Sequence, residues 1–577
     1  MKAIFFKPTR FFAVMFTVIM LILCCASCGK NEAITNDTEA NAEDTTAQNV
    51  LTIVADGKSE YKIVRPLVCE DHIYDAANTL REYIKNKTGV NIKIVSDGGN
   101  KSTEKSEFEI LVGQTNREES TQLYERLDYN GARAAISGQK IVIAAYTKES
   151  ADFLVEKVAR SFDASDDKST FSISELNINK SGSYDIKSLK FDGDDLWSYG
   201  MVISNEEQLS MAKNLRLLIG KAAGIMINIY TDTNDLPDGI KPFYIGNKIA
   251  PTNTDIDTSY RFGKAEGGIA LYYTDASGRT RAYVDFESAI TGASNTSLNL
   301  STTISPSKKQ EYTSTSADIK IMSFNVLNGW DSSNIGNRDN LAATEILNAT
   351  PDVLGLQEFD PCYRNASEDR LSTLISSKYI EVGEAQGSWN PIFYNKDTLT
   401  LLTYGFHTYT DGAVYKYPSG GDSMFRTFTW ALFEEKASGK QFLIFNTHLD
   451  YTSGNTIKTQ SNQLSECNEL TAKINELTAL FGVGNVFMIG DFNATASSST
   501  SEALFKLGFK DTHTLAQIKD DIASAGEKGF ATEGSYAKAI DHIYCMGTNI
   551  SVSEYKTVTN IRDASDHCPI YAALTIS

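Results

Sequence analysis

Three patterns of apolar and polar positions succeed one another along this chain. Phe11 to Cys25 is almost unbroken apolar and follows Lys2, Lys7 and Arg10. Residues 29–48 are polar and acidic with few large apolar side chains, the composition of a disordered tether. From about residue 49 regular periods take over. In Asp75–Asp97, and again in Met211–Asp232, apolar residues recur at i, i+3 and i+4. Leu80, Tyr83, Ile84 and Gly89 thereby fall opposite Leu215, Leu218, Ile219 and Gly224. Each stretch predicts a helix stopped by its glycine, with a β-branched strand behind it. Further strands are predicted at Glu109–Thr115 and Lys140–Thr147 in the first unit and at Phe243–Lys248 and Gly268–Thr274 in the second, each unit closing on a helix. This self-similarity is an internal repeat of two small α/β domains, residues 49–185 and 190–300. A Ser/Thr/Lys-rich stretch, 301–317, reads as a linker to one larger domain, 318–577.

In that last domain the strands are apolar runs that end in polar groups. Ile319–Asn328 carries Asn325, Pro351–Phe359 ends in Gln357 and Glu358, and Gln441–Asp450 brings Asn446 and His448 two residues apart. Val486–Asn493 runs into Gly490, Asp491, Phe492 and Asn493; Ala539–Tyr544 supplies Asp541, and Ala564–Ile570 supplies Asp566 and His567. Residues at i and i+2 of a strand face the same way, so Asp491 and Asn493 are expected side by side at a sheet end. One such end is as easily a strand followed by an Asx turn; six in series point to a site. Helical periods at Leu341–Leu347 and Ser461–Leu480 separate the strands.

Charge narrows the substrate. The 577 residues hold 54 basic and 73 acidic side chains, and residues 318–577 alone hold 19 against 31. A face that tracks a long nucleic-acid backbone needs a basic excess, whereas a small phosphoester does not. Of only six histidines, His448, His542 and His567 lie in the polar strand ends; His542, on the opposite strand face from Asp541, reads as packing, and His407 and His513 as ordinary. Beyond the first 28 residues the cysteines are Cys69, Cys362, Cys467, Cys545 and Cys568. Their scatter is neither a zinc site nor a disulfide framework. Buried free thiols fit, and one bridge in the last domain stays open.

The six segments, in this order, resemble the endonuclease/exonuclease/phosphatase superfamily of Mg2+-dependent phosphoesterases. The resemblance implies a four-layer αββα sandwich, two mixed sheets face to face with helices outside, so the chain as a whole is expected to be α/β (α+β). Phosphoester hydrolysis needs in-line attack by water, neutralised non-bridging oxygens and help for the leaving oxygen. Glu358, assisted by Asn325 and Asp566, is the expected ligand set for Mg2+, with Mn2+ as its substitute. Asp491 is expected to deprotonate the water and Asn493 to fix that water or a phosphate oxygen. His448 and His567 are expected to donate to phosphoryl oxygens, with Asp541 orienting His567. Asn390, Tyr394 and Arg426 are candidate substrate contacts, and His407–Phe425 a loop over the rim. The signature of inositol polyphosphate phosphatases is absent, Lys538-Ala-Ile-Asp541 standing in its place.

The first 28 residues read as a secretory signal. Cys25-Ala-Ser-Cys28-Gly resembles a bacterial lipobox, which makes Cys28 the expected lipidated residue, with Cys24 and Cys25 as alternatives. The chain is then an extracytoplasmic lipoprotein on a membrane; an uncleaved membrane anchor is the alternative. The two repeats loosely resemble accessory domains of secreted glycan-degrading enzymes, either as scaffold or as a carbohydrate-binding part. Two functions follow. One is a surface-anchored phosphoesterase acting on nucleic acid, phospholipid or a small molecule. The other is an inactive surface protein whose repeats capture glycans.

Overall fold

The computed structural model describes residues 50–577 except 99–103, 167, 253, 294–295, 330–334, 365–369, 384–388, 411–413, 416–423, 452–456, 526–531, 534–535 and 560–562. The signal, the tether, Cys28 and most of the rim segment after Thr410 lie outside the described residues. Among the described residues no helix is long and apolar enough to cross a membrane.

The first repeat consists of β1 (Lys62–Arg65), α1 (Asp71–Thr88), β2 (Ile94–Ser96), β3 (Glu109–Val112), β4 (Ala132–Ser137), β5 (Lys140–Ala145) and α2 (Lys148–Arg160). The second has the same plan: β6 (Tyr199–Val202), α3 (Glu206–Ala223), β7 (Ile229–Tyr230), β8 (Lys241–Gly246), β9 (Arg261–Ala265), β10 (Gly268–Tyr272) and α4 (Ala276–Thr291). The sheet orders correspond, β2-β1-β3-β5-β4 and β7-β6-β8-β10-β9, with Asn177–Lys180 added at the β4 edge of the first. The reversed strand is β4 or β9, antiparallel to β5 or β10 and, in the first sheet, to Asn177–Lys180 as well. The glycine stops have a physical basis. Gly89 (φ +80°) and Gly224 (φ +77°) turn left-handed, and their N–H groups donate to Lys85 O and Gly220 O, the helix-ending conformation a Cβ disfavours.

The last domain is built from β11 (Ala317–Asn325), α5 (Ile335–Ala349), β12 (Val353–Gln357), β13 (Ile392–Asn395), β14 (Leu399–Thr408), β15 (Thr427–Glu435), β16 (Gln441–His448), α6 (Ile457–Phe481), β17 (Val486–Asp491), α7 (Ser499–Lys506), β18 (Asp541–Met546), β19 (Ile550–Thr557) and β20 (Ile570–Ile576). One sheet runs Tyr379–Glu381, β13, β12, β11, β20, β19, Ile518–Lys519; the other runs β14, β15, β16, β17, β18, Lys510–Asp511. Their facing surfaces interdigitate through Ile321, Val353, Phe433, Ile444, Ile489 and Ile570, all fully buried. Gly355 lets the second sheet's side chains approach the first: a Cβ there would meet Ile489 Cδ1 at 2.5 Å. On the outer face of the first sheet Phe324, Leu356 and Phe393 pack with Ile346 of α5 and with Leu371 and Ile375. The outer face of the second sheet is covered by α6 and α7. These are the four layers, and each sheet is mixed.

The apolar layer under α6 does not stop at the domain edge. It continues through Tyr283, Phe286 and Ile219 of the second repeat as one core, whereas the first repeat closes a separate core of its own. Residues 301–317 begin in a short helix, Leu300–Thr303, and are pinned further on. Lys309 N donates to Asp257 O, and Thr313 N and Ser314 N to Ala437 O. The five described cysteines are free thiols; Cys467, Cys545 and Cys568 are buried, Cys69 and Cys362 half-buried. Among the described residues no disulfide joins the last domain.

Candidate active site

Register brings the polar strand ends together. In the first sheet β11 and β12 run parallel with Asn325 beside Gln357. In the second, β16 and β17 run parallel with His448 beside Asp491, and Asp491 faces Asp541 of antiparallel β18. With the sheets face to face, these ends line one rim. Two buried amides join the layers below it. Gln357 Nε2 donates to Asn446 Oδ1 at 2.7 Å, and Asn446 Nδ2 donates to Leu356 O at 2.8 Å and Pro391 O at 2.7 Å.

At the rim, Asn325 Nδ2 lies 3.2 Å from Glu358 Oε1 and 3.1 Å from Asp491 Oδ2. His448 Nε2 is 3.4 Å from that same Asp491 oxygen and His567 Nε2 is 3.8 Å from it. His567 Nδ1 meets Asp541 Oδ2 at 2.8 Å, and Ser524 Oγ donates to the same Asp541 oxygen at 2.5 Å. Ser565 Oγ ties His567 N to Asn325 O, at 3.1 and 2.7 Å. Glu358 stands just past β12 with φ +58°, a left-handed conformation uncommon for a residue with a side chain and typical of functional positions. Gly490 (φ +145°) lets the chain pass β16, since a Cβ would meet Thr447 O at 1.9 Å.

Burial and mutual charge set the protonation states. Burial, and after it the neighbouring Asp541, lifts the Asp491 carboxyl well above the usual range. Burial and then Glu358 raise Asp566, partly offset by His567. For His567 burial works against the imidazolium, but Asp541, Asp491 and Asp566 outweigh it and push its pKa up to about 10. His448 goes the other way: burial, then the charges of Arg426 and His567, hold it neutral, far below its ordinary value. The two histidines therefore differ in charge at neutral pH, one imidazolium and one imidazole.

Several expected contacts lie elsewhere. Asn493 does not share a strand face with Asp491, because β17 ends at Asp491 and Asn493 turns left-handed (φ +47°). Its backbone N–H caps Asp491 Oδ1 at 2.9 Å, and its side chain donates to Leu449 O at 3.1 Å. Tyr394 is opposite Val353, at the start of β12. It packs on Phe433, centroids 5.1 Å apart, roughly 16 Å along the strand from Glu358 at the usual rise. Asn390 spends its Nδ2 on Thr427 O and Oγ1, at 3.1 and 2.9 Å. Arg426 does reach the site's surroundings. It is buried, its charge acts on His448, and its Nη1 has no partner among the described residues. His448 Nδ1 and Asn328 Oδ1 are unpartnered too, and such buried polar atoms are costly to leave unmatched.

Sequence reasoning passed over Asn328, whose backbone N and Nδ2 both hold Glu358 Oε2, at 3.1 and 2.9 Å. It also passed over Ser565 and Gln463; the latter, from α6, donates to Asp450 O and Asn493 O. Asn328 lies three residues beyond Asn325 in the same quoted stretch, but only the left-handed turn at Leu327 (φ +56°) aims it back at Glu358.

The donor set is suited to a hard cation. Glu358, Asp566, Asp491 and Asp541 crowd one rim; burial above all, and after it Asp541 for Asp491 and Glu358 for Asp566, raises the two shifted carboxyls, and a divalent cation relieves such buried negative charge. Asp491, Asp541 and His567 also bring ligand atoms within 4.8 Å of one another.

The family model for the Endonuclease/Exonuclease/phosphatase family matches residues 322–567. No curated protein matches the chain. Solved structures similar to it include an endonuclease/exonuclease/phosphatase family protein of Bacteroides thetaiotaomicron (21% identity, 45% of this chain and 99% of that one, TM-score 0.36). A mannosyl-6-phosphatase of the same organism shares 22% identity over 44% of this chain and 99% of that one, TM-score 0.35. The human Nocturnin catalytic domain shares 18% over 45% and 95%, TM-score 0.34.

Proposed function

Residues 322–567 form a domain of the Endonuclease/Exonuclease/phosphatase family, and from that premise we propose that the protein is a divalent-cation-dependent phosphoester hydrolase. The observation that carries this reading is the placement of Asn325 Nδ2 between Glu358 and Asp491, with the Asp541–His567 pair against the same Asp491 oxygen. Glu358 and Asp566 would hold Mg2+, or Mn2+ in its place, which when bound neutralises charge on the phosphoryl oxygens. Asn325, expected as a third ligand, gives its Oδ1 to Leu327 N and its Nδ2 to Glu358 and Asp491, and so orients those carboxylates. Asp491 takes the proton of the attacking water; its raised basicity suits a base working near neutral pH. Asn493 acts through its backbone, fixing one Asp491 oxygen so that the other faces the water. His567, kept cationic by Asp541, donates from Nε2 to the phosphoryl group as charge builds there. His448, a neutral imidazole, has one N–H to offer, and the unpartnered Arg426 Nη1 supplies a further donor.

The acidic balance favours a small or lipid-derived phosphoester over a long nucleic acid. A further part of the proposal concerns place: a lipid on Cys28 would tether the enzyme outside the cytoplasmic membrane. Hydrolysis of DNA, RNA, a phospholipid and sugar phosphates with Mg2+ or Mn2+, before and after EDTA, tests the reading. Turnover of one class, abolished by EDTA, is expected; none with any cation refutes it. Followed against pH, kcat/KM should rise as Asp491 ionises and fall as pH passes about 10, where His567 loses its proton. Asp541→Asn removes the main charge raising His567 and should move that fall to lower pH.

A further inference from the structure

The turn leaving β11 is polarised across its width. On one edge, three successive N–H groups meet acceptors: Leu327 N to Asn325 Oδ1 at 3.0 Å, Asn328 N to Glu358 Oε2 at 3.1 Å and Gly329 N to Asp360 Oδ2 at 2.6 Å. Consecutive N–H groups face one way only when the backbone alternates handedness, which the left-handed Leu327 (φ +56°) provides. The carbonyls must then face the other way, and there they converge on one guanidinium. Arg338, in the first turn of α5 and 6% exposed, bonds Val326 O and Leu327 O through Nη2 and approaches Asn328 O at 3.5 Å through Nη1. Its Nε donates to Ala564 O at 2.8 Å, in the loop that carries Ser565, Asp566 and His567. The Tyr363 hydroxyl completes the clamp: it accepts from Arg338 Nη2 at 2.8 Å and donates to Val326 O at 2.9 Å.

We propose that Arg338 is a positioning residue for the cation-binding carboxylates: by gripping the carbonyl edge of the 326–328 turn and Ala564 O together, it holds Glu358 and Asp566 at one rim. The inference rests on the reading of the site as a divalent-cation site. Physically, an unstabilised left-handed leucine relaxes, and relaxation would rotate the Asn328 and Gly329 N–H groups away from Glu358 and Asp360. An ammonium cannot replace the planar fork, because it has neither the reach nor the fixed geometry to satisfy carbonyls of two loops at once.

The test is direct Mn2+ binding, followed by electron paramagnetic resonance on the full chain, together with kcat and thermal melting. Arg338→Lys is expected to weaken Mn2+ binding about 10- to 100-fold, the range for partners that orient metal ligands. Tyr363→Phe, which deletes one hydroxyl from the same clamp, is expected to weaken it in the same direction by less and remains informative if Arg338→Lys does not fold. Both should lose kcat at low Mn2+ and regain it at saturating Mn2+, which a merely unfolded fraction does not do. Wild-type binding matched by both variants overturns the positioning role alone. Wild-type protein that binds no Mn2+ overturns the cation site and the role together.

Discussion

The two repeats share a sheet order and differ in what their closing helices face. Helix α2 of the first displays Lys148–Asp152 and Glu156–Arg160, ion pairs four residues apart on side chains more than half exposed. Helix α4 of the second, at the corresponding place, buries Arg279, Thr280 and Tyr283. Tyr283 meets Phe481 of α6 edge-on at 5.7 Å, Arg281 pairs with the buried Glu434 of β15 at 2.6 Å, and Thr403 of β14 donates to Glu287 at 3.1 Å. One backbone plan thus yields an appendage when the outer side of its helix carries solvated ion pairs, and an extra layer of the last domain when that outer side meets it through Tyr283, Arg281 and Glu287. The second repeat lies behind the sheet whose other ends carry His448, Asp491 and Asp541, so it supports that side of the site; the first does not.

Deletions break this comparison most sharply. Removing residues up to about 184 should leave a soluble, cooperatively melting protein, whereas removing residues up to about 310 should give insoluble chain, because the core shared with α6 is opened. Equal behaviour of the two, by sedimentation and calorimetry, would show that the repeats are equivalent after all. Next in size is Phe481→Ala, expected to cost about 3–5 kcal/mol in urea unfolding, as for large buried aromatics. Arg281→Met leaves Glu434 buried without its cation and should cost on the order of 3 kcal/mol. Glu287 offers a signed test. Burial raises its folded pKa above the unfolded value, so its contribution to stability is fully present at pH below the unfolded pKa and is lost as pH rises through the folded one. Glu287→Gln should therefore raise the melting temperature at neutral pH and flatten its pH dependence. Smallest of all, Lys148→Ala in α2 should leave the melting temperature unchanged.

Much of this arrangement was legible in the residues. Apolar runs closing on Asn325, Glu358, His448 and Asp491 mark strand ends because a buried strand has no other use for such groups, and the paired glycines at 89 and 224 mark helix stops. Strand alternation failed at Asn493, since it holds only while the strand continues and β17 ends two residues earlier. Tyr394 misled because proximity in sequence says nothing about antiparallel register, which places it at the far end of β12. Arg338 was invisible: in the first turn of a helix, a lone arginine looks like a solvated charge until the 326–328 turn is seen to point its carbonyls there. The fusion of the second repeat left no trace in the sequence: Tyr283, Phe286 and Ile290, at i, i+3 and i+7, read as the single stripe of an ordinary amphipathic helix.

The central claim is that Asp491 activates water for attack at phosphorus beside a bound cation. Hydrolysis of bis-p-nitrophenyl phosphate and p-nitrophenyl phosphate with Mg2+ in 18O-enriched water tests it most directly. The account predicts one 18O in each phosphate product, with Asp491→Ala slower by about 10²–10⁴-fold. Turnover that Asp491→Ala leaves undiminished, or label found in the nitrophenol, would contradict it.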